Sequence, residues 1–300
     1  MINIVITTYG ELNSITQAVD AFLKQLPKNA KIVVVDPFEK TRKLIEEKYK
    51  KKVEFFLDIG EGKSTALNLV LENYYSKDKD DIFIFSDGDV FVEENTIREL
   101  LDQFKDKKIG LVCGHPVGLN KLDNMLGFWG NLAFSEMNKT RRELAKKKEF
   151  FEVSGYLFAM RNGVIRYFPT EASEDNVIPT LFWKKGYKIG YSEDAIVYVK
   201  SPEKISEWIM QKKRNIKGHL ALKDQVDTLK SRKNTIFGEA LRGIKFLFSY
   251  PNNLKEFYWY IGMALGRLYA WILAIYETKV RRKKYTDGWR EEEDLTTTRL

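Results

Sequence analysis

Two carboxylates at the end of an apolar segment are the residues of this chain with the clearest chemical potential. Residues Phe83–Val90 read F-I-F-S-D-G-D-V, so Asp87 and Asp89 are separated only by Gly88. Alternate side chains of a strand point the same way, and glycine lets the backbone approach a ligand closely. Paired hard oxygens suit Mg²⁺ or Mn²⁺ with positions left for phosphate oxygens. The alternative is a strand that ends in an Asp-Gly turn and binds nothing.

The composition limits which side chains can carry acid–base chemistry. The chain has 300 residues, of which 44% are hydrophobic, so it can bury a sizeable core. Its histidines, His115 and His219, are too few for a His-rich zinc site and leave a Ser-His-Asp hydrolase few candidate bases. One cysteine, Cys113, excludes an internal disulfide, and the N-terminal sequence lacks a signal-like apolar segment, so we expect a cytoplasmic protein. Carboxylates are the expected acid–base groups.

Positive charge is concentrated in the last third of the chain. The formal net charge is +8, yet residues 1–199 contain 29 Lys and Arg against 30 Asp and Glu, whereas residues 200–300 contain 21 against 12. A basic segment of this kind can bind nucleic acid, an anionic membrane or a phosphorylated substrate. We expect no nucleic-acid partner, because the segment has no recognition motif and its aromatic residues cluster in an apolar stretch.

The first half of the chain alternates strand and helix patterns. Short apolar runs predict strands at 2–7, 31–36, 53–57, 82–85 and 109–113. Helical periodicity predicts helices at 13–26, 42–49, 65–75 and 94–104, and then a basic helix near 139–148. Apolar segments follow at 153–160 and 189–199. The alternation predicts a mostly parallel sheet covered on both faces, with ligands at the carboxyl ends of its strands.

Six further segments accompany the acidic pair in a fixed order. They are V-I-T-T-Y-G-E (Val5–Glu11), the acid Asp36 after I-V-V-V, G-K-S-T-A-L-N (Gly62–Asn68), V-S-G-Y-L-F-A-M-R (Val153–Arg161), S-E-D (Ser173–Asp175) and Q-K-K-R-N (Gln211–Asn215). In this order they resemble the motifs of the inverting family 2 glycosyltransferases of the GT-A fold. The resemblance covers most of residues 1–220.

The resemblance implies an α/β fold with a GT-A-type, Rossmann-like sheet flanked by helices and followed by a helical extension. It implies a catalytic domain at residues 1–220 and a basic, aromatic C-terminal region at residues 221–300. Asp89, with Asp87, would hold Mn²⁺ or Mg²⁺. The donor-binding residues implied by the resemblance are Thr7, Thr8, Tyr9, Glu11, Asp36, Lys63, Asn68, Asp87, Gln211 and Arg214.

A nucleotide-hydrolysing P-loop is the competing interpretation of the Gly-Lys-Ser segment. Lys63 at a helix start suits a diphosphate in either case, because helix N–H groups and an ammonium both stabilise phosphate charge. The P-loop pattern requires glycine where Leu57 stands, so we disfavour this interpretation.

Inverting transfer needs a base that removes the acceptor hydroxyl proton while that oxygen attacks the anomeric carbon. The resemblance places this base at Asp175, with Glu174 as the fallback, and places Gly155 and Tyr156 on the acceptor side. The structural alternative is an acidic helix N-terminus without a catalytic role.

Two segments depart from the family pattern. Pro37 and the residues after it replace the usual D-x-S-x-D continuation, which leaves the nucleotide base open. Asn215 replaces the tryptophan of Q-x-x-R-W, which in the family gives the acceptor sugar an apolar face. Arg214 still suits a phosphate, but the substitution argues against a processive synthase.

Two apolar stretches in the C-terminal region are candidates for membrane contact. Residues 236–248 set Arg242 and Lys245 among Ile, Leu and Phe, and residues 257–276 are almost wholly apolar but contain Arg267. A charge at mid-bilayer costs about 2.5 to 3.5 kcal/mol, so a spanning helix is disfavoured. Aromatic residues with flanking Lys and Arg favour a helix in the membrane interface, and a buried core contact or a homodimer contact are the alternatives.

Together these features predict a metal-dependent inverting glycosyltransferase. It would move a sugar from a UDP- or GDP-linked donor to a glycan or lipid-linked acceptor at the cytoplasmic face of a membrane. The alternatives are a polyprenyl-phosphate glycosyltransferase, a nucleotide-sugar-binding protein without transfer activity, and a basic membrane-surface module on the same fold. The fold analogy gives a reaction class and leaves the sugar, the base, the acceptor and the linkage open.

Overall fold

The structure, a computed structural model, describes residues 1–170, 173–225, 250–283 and 285, without the side chains of 222–225. The strands in this part of the chain are β1 (Ile2–Thr7), β2 (Ala30–Asp36), β3 (Val53–Leu57), β4 (Ile82–Asp87), β5 (Val90–Val92), β6 (Ile109–Gly118), β7 (Leu157–Arg161) and β8 (Lys188–Val199). The α-helices are α1 (Leu12–Leu23), α2 (Glu39–Tyr49), α3 (Lys63–Tyr74), α4 (Thr96–Gln103), α5 (Met125–Lys146), α6 (Glu174–Lys184), α7 (Ile205–Gln225) and α8 (Leu254–Ile275).

The eight strands form one mixed sheet in the order β3-β2-β1-β4-β7-β6-β8-β5. The first four in this order pair in parallel, as the alternating strand and helix pattern predicts. β7 then enters antiparallel between β4 and β6, and β5 pairs antiparallel with β8. The expected α/β fold is confirmed, and the antiparallel β7 is a feature that the sequence pattern did not predict.

Both faces of the central strands are buried, which explains why their sequences are apolar runs without polar alternation. On one face Ile4 and Ile84 pack in a cluster that includes residues of α1, α2 and α4. On the other face Val5 and Phe85 pack with residues of α3 and α6. The polar residues that end these strands lie outside both apolar clusters.

The register of the sheet brings those strand ends together. Thr7 at the end of β1 lies opposite Asp87 of β4 on one side and Val35 of β2 on the other. Asp36 at the end of β2 lies opposite Leu57 of β3. The carboxyl ends of four neighbouring parallel strands thus lie at one edge, where ligands bind in open α/β sheets.

Helices α5, α7 and α8 pack together in two smaller apolar clusters. Trp129 of α5, Trp208 of α7 and Tyr260 of α8 belong to one, and the Trp129 indole N–H donates to the Trp259 carbonyl oxygen at 2.6 Å. Ile216 of α7 packs with the Ala270 side of α8 in the other. The domain boundary proposed at residue 220 falls inside α7.

Of the two apolar C-terminal stretches, residues 236–248 lie outside the described residues, and residues 257–276 lie mostly in α8. Within the described part of the chain, no helix has the length and apolar character needed to cross a membrane.

Candidate active site

The ends of β1 and β4 bring the first polar residues of the site together. Thr7 Oγ1 donates to Asp87 Oδ1 at 3.4 Å, and the Gly88 N–H donates to the Thr7 carbonyl oxygen at 2.8 Å. A Cβ added at Gly88 would lie 2.6 Å from the Cβ of Thr8. Only glycine lets the loop after β4 approach β1 this closely, which is the reason for a glycine between the two acids.

Lys63 connects three parts of the site. It begins α3 directly after Gly62, whose φ of 114° is a conformation that favours glycine. Lys63 Nζ lies 2.6 Å from Asp87 Oδ1, 2.9 Å from Glu174 Oε1 and 3.0 Å from the Gly155 carbonyl oxygen. An ammonium has three N–H donors, so these acceptors engage all of them. The acidic pair, the G-K segment and the S-E-D segment therefore converge on one buried cation.

Burial and neighbouring charge set the protonation of this cluster. Burial alone would lower the pKa of Lys63, but Asp87 and Glu174 outweigh it and hold that pKa above its usual value. Burial likewise would raise the pKa of Glu174, but Lys63 reverses the shift and lowers it. The pKa of Asp87 stays raised, first by burial and then by the charges of Asp89 and Glu174, although Lys63 opposes them.

Asp89 completes the acidic pair at the end of β4. Its side chain is nearly buried, with 6% of the residue exposed. Within the described residues, no group of three or more His, Cys, Asp or Glu side chains is placed to hold a metal ion. One or two carboxylates plus substrate phosphates are nevertheless the usual ligands of Mg²⁺. Added positive charge would favour ionised Asp87, so the chemistry of Asp87 and Asp89 fits a divalent cation.

Asp175 lies at the start of α6, next to Glu174 in the chain. The Ser173 hydroxyl donates to Asp175 Oδ1. Burial raises the pKa of Asp175 to about 6, and the charge of Glu174 contributes to the shift. The acidic helix N-terminus expected as the structural alternative is present, since α6 begins at Glu174. A carboxyl group whose pKa is raised toward the operating pH also suits a general base.

Gly155 lies against this cluster without a side chain of its own. A Cβ added there would meet Glu174 Oε1 at 3.0 Å and Lys63 Nζ at 3.4 Å. The preceding residues are held in place by Arg141, whose guanidinium donates to the carbonyl oxygens of Glu152 and Val153 at 3.0 Å each. Glycine therefore allows the side chains of Glu174 and Lys63 to approach the backbone closely at this position.

Tyr156 follows Gly155 and is anchored at its backbone and its ring. Its carbonyl oxygen accepts from Ser86 Oγ at 3.1 Å, and its ring meets Phe134 edge to face at 5.9 Å. These contacts connect the predicted acceptor-side segment to β4 and α5. The role of Tyr156 toward an acceptor stays a prediction.

Asp36 shapes the loops at the end of β2. The residue is fully buried, and its two oxygens accept the Gly10 N–H at 2.7 Å and the Phe38 N–H at 2.8 Å. Burial raises the pKa of Asp36, and these N–H groups oppose the shift. The Tyr9 ring packs edge to face on Phe38 at 4.9 Å. Direct contact of Asp36 with a nucleotide stays a prediction.

Asp58 is an acid of this edge that the sequence analysis missed. It follows β3 directly, much as Asp36 and Asp87 end their strands. This position at the end of a strand could have identified Asp58 from the sequence. It is 8% exposed and accepts the Gly60 N–H at 2.8 Å. Burial raises its pKa, and its charge adds to the raised pKa of Asp36.

Glu11 and Asn68 are two further predicted donor-binding residues with partners within the protein. Glu11 Oε2 accepts from Thr8 Oγ1 at 3.2 Å. The Asn68 amide donates to the Phe168 carbonyl oxygen at 3.0 Å and accepts the Phe168 N–H at 2.9 Å. Asn68 thus secures the loop before α6, and its contact with a donor stays a prediction.

Helix α7 presents the basic motif to the acids of α6. Arg214 is exposed, and its charge contributes to the lowered pKa of Glu174. Gln211 lies nearly one turn earlier and is partly buried. His219, which the sequence analysis gave no role, lies with Nδ1 3.7 Å from Glu152 Oε1, and a positive charge on its ring would lower the pKa of Asp175. The structure therefore brings α7 to the S-E-D segment, whereas Gln211 has no described contact with that segment.

One protein family and several solved structures are similar to this chain. The family model described as glycosyl transferase family 2 matches residues 3–168. A crystal structure of S. aureus TarS 1-349 is 17% identical over 92% of this chain and 81% of that chain, with a TM-score of 0.50. The same TarS fragment in complex with UDP-GlcNAc is 16% identical over 93% of this chain and 82% of that chain, also with a TM-score of 0.50.

GalNAc-T7 with UDP, GalNAc and Mn²⁺ is 16% identical over 67% of this chain, with a TM-score of 0.46. This chain covers 43% of that one, so it spans less than half of its length. No curated protein sequence gives a significant match. The family match over more than half of the chain, on a sheet shared with GT-A structures, shows that the protein belongs to glycosyl transferase family 2 and is a glycosyltransferase.

Proposed function

We propose that this glycosyltransferase moves a sugar from a nucleotide diphosphate-sugar to an acceptor hydroxyl with inversion at the anomeric carbon. The observation that carries the proposal is the convergence of Asp87, Gly155 and Glu174 on Lys63, directly next to Asp175 in the chain. It joins the acids expected at the donor to the acid expected at the acceptor. The TarS complex supports the donor class, because a similar fold there holds UDP-GlcNAc.

The donor end of the proposed site would use a divalent ion. Asp89, with Asp87, would hold Mn²⁺ or Mg²⁺ against the diphosphate, and the ion would offset the charge that develops on the leaving group. The raised pKa of Asp87, caused by burial and by two neighbouring carboxylates, supports this proposal, since a cation would relieve the repulsion. Thr7, Thr8 and Tyr9 would lie along the nucleotide.

The acceptor end would use Asp175 as general base. Asp175 would take the proton of the acceptor hydroxyl as that oxygen bonds to the anomeric carbon and the bond from that carbon to the diphosphate oxygen breaks. Its pKa of about 6 supports this role, because a base works best when its pKa is near the operating pH. Glu174 is engaged by Lys63, which favours Asp175 over the fallback.

The leaving diphosphate would be neutralised by basic side chains as well as by the metal. Arg214 is the better placed of the two predicted residues, because it is exposed and acts on Glu174. Lys63 can bind the diphosphate only by exchanging one of its three present acceptors. We propose this exchange, with Lys63 passing from Asp87 to the diphosphate when the metal is bound.

For the acceptor we propose a glycan or a lipid-linked glycan at the cytoplasmic face of a membrane. The support is the basic, aromatic C-terminal region, with 21 Lys and Arg against 12 Asp and Glu over residues 200–300. A polyprenyl phosphate is the alternative acceptor, and it would need no base, because a phosphate oxygen is already ionised at neutral pH.

Donor turnover by matched variants tests the proposal. Asp175→Asn should lower transfer from UDP- or GDP-sugars by about a hundredfold or more without weakening nucleotide binding. Asp194→Asn, which removes an exposed acid of β8, is the control and should leave both unchanged.

Three outcomes would change the proposal. Unchanged transfer by Asp175→Asn would remove Asp175 from the mechanism. If Asp175→Asn retained transfer to a phosphate acceptor alone, the polyprenyl-phosphate alternative would be favoured. Donor binding without any turnover by the wild-type chain would support a binding protein.

A further inference from the structure

Helix α8 has an apolar face on each side, and the described residues of the chain cover only one of them. Its inner face buries Tyr260, Ala270, Trp271 and Ala274 against α5 and α7. Its outer face consists of seven large apolar side chains that are between 38% and 68% exposed: Tyr258, Ile261, Leu265, Leu268, Tyr269, Ile272 and Tyr276. A helix at a protein surface normally turns charged residues outward. A contiguous exposed apolar stripe of this kind marks an interaction surface.

Cations lie at both ends of the outer face. Lys255 is exposed in the first turn of α8, and beyond the helix Lys279, Arg281, Arg282 and Lys283 are exposed together.

The acids of α8 and the turn after it are engaged elsewhere. Glu256 accepts the N–H of Asn252 at the start of the helix. Glu277 lies 2.6 Å from Lys213 Nζ and 3.1 Å from Lys217 Nζ, so α7 neutralises it. The outer face therefore combines an apolar centre with positive ends and carries no acidic side chain.

We propose that the outer face of α8 docks on the surface of an anionic lipid bilayer. Its Leu and Ile side chains would enter the boundary between headgroups and acyl chains, and its tyrosines would lie at headgroup level. The cations at 279–283 would contact lipid phosphates. The inference deepens the membrane location in the proposed function by naming the surface that would hold the protein there, and it does not depend on sugar transfer.

A second copy of the chain fits this surface less well. In an antiparallel pair of α8 helices, the cluster at 279–283 of one copy would lie beside Lys255 of the other. In a parallel pair, the two clusters at 279–283 would lie side by side. Both arrangements bring like charges together, whereas anionic headgroups are complementary to both ends of the helix.

Vesicle flotation with the full-length chain tests the inference. We expect flotation with vesicles of equal parts phosphatidylcholine and phosphatidylglycerol, and much weaker flotation with phosphatidylcholine alone. Replacing Leu265, Leu268 and Ile272 together by Ser should weaken binding by about a hundredfold, because their burial supplies the apolar part of the affinity. These side chains are exposed, so circular dichroism should show an unchanged fold.

Matched controls separate a localised surface from a general effect of charge or hydrophobicity. Replacing Lys279, Arg281 and Arg282 by Gln should lower binding about fivefold for each charge removed. Replacing Lys50, Lys51 and Lys52 by Gln changes the net charge equally but should leave binding nearly unchanged, since these exposed lysines lie after α2. Replacing the exposed Ile59 and Tyr167 by Ser should also leave flotation unchanged.

Two results would overturn the inference. Equal flotation of the wild-type chain and the Leu265, Leu268 and Ile272 variant would show that this face does not hold the bilayer. A dimer of the wild-type chain in light scattering without lipid, converted to a monomer by the same variant, would assign the face to a second copy.

Discussion

Lys63 is the residue on which the contact between the predicted motifs depends. Its side chain is 12% exposed and lies between Asp87 and Glu174, at 2.6 Å and 2.9 Å. Removing the ammonium would leave the buried carboxylate of Glu174 and the partly buried carboxylate of Asp87 without this counter-charge. We therefore expect Lys63→Met to lower the free energy of unfolding by about 3 kcal/mol or more, measured by urea denaturation with excess chelator.

Two variants control this measurement. Lys63→Met combined with Glu174→Gln should regain part of the lost stability, because the buried charge of Glu174 is removed as well. Lys31→Met breaks a more exposed ion pair with Glu54 and should cost less than about 1 kcal/mol. A cost for Lys63→Met as small as that for Lys31→Met would contradict the proposed role of the buried ammonium.

Asp175 should give the transfer reaction a pH dependence in the weakly acidic range. The base must be ionised to accept a proton, and burial raises its pKa to about 6. We expect kcat/KM to rise with pH through this value and then to level off. A profile already flat well below pH 6 would place the proton acceptor elsewhere.

The stability of the fold provides an independent readout of the same carboxyl group. Its pKa is raised from an ordinary value of 3.8, so the folded state binds the proton more tightly than the unfolded state does. The resulting stabilisation is complete below pH 3.8 and is lost as pH rises through about 6. Asp175→Asn, which stays neutral, should therefore raise the melting temperature relative to wild type more at pH 8 than at pH 4.

At the residue scale, the sequence identified the residue types and left their partners unknown. Asp87, Lys63, Glu174 and Asp175 stand in motifs that could be recognised from local order alone. The ion pairs of Lys63 with Asp87 and Glu174 depend on the approach of segments that are distant in the chain. No local sequence pattern contains that information. The partner of Asn68 could not be predicted either, because its amide bonds the backbone of a loop that the sequence did not connect to it.

At the element scale, the close approach of β1 and the loop after β4 is the feature most sensitive to a small change. The Cβ of Gly88→Ala would lie 2.6 Å from Thr8 Cβ, and one of the two segments would have to move. We expect a loss of about 1–3 kcal/mol in the free energy of unfolding and weaker nucleotide binding, measured by denaturation and calorimetry.

Gly190→Ala in β8 is the matched control for this substitution. Its nearest neighbours would be Ile109 side-chain atoms at 3.3 Å and 3.4 Å, which can adjust by a few tenths of an ångström. It should cost less stability and leave nucleotide binding unchanged. Equal losses for the two variants would mean that the approach at Gly88 has no special importance.

The strands and helices of the first half follow the predicted pattern closely because each has a clear apolar run or periodicity. β1 and β3 have the predicted limits, and β4 extends to Asp87 because that residue pairs with Thr7. The helix expected near 139–148 begins much earlier, at Met125, where the Asn124 side chain accepts the Gly127 N–H at 2.9 Å. Its first turns lack a clear helical periodicity in the sequence, and they pack against α7 and α8.

At the scale of the whole molecule, fold class could be predicted and strand order could not. Alternating strands and helices predict a parallel sheet, which describes β1 to β4. The position of β7 between β4 and β6 is fixed by pairings between distant segments, such as Phe85 with Phe158. The same holds for α8, whose two apolar faces look alike in sequence, while the described part of the chain packs against only one of them.

Calorimetric titration of UDP, GDP and ATP, each with and without Mn²⁺, tests the central claim most directly. The wild-type chain and Asp89→Asn should be compared, with the exposed acid variant Asp194→Asn as control. We expect UDP or GDP to bind in a manner that requires Mn²⁺, and we expect this binding to disappear in Asp89→Asn and to persist in Asp194→Asn. Binding of ATP alone, or of no nucleotide, by the wild-type chain would contradict the proposal of a metal-dependent nucleotide-sugar site.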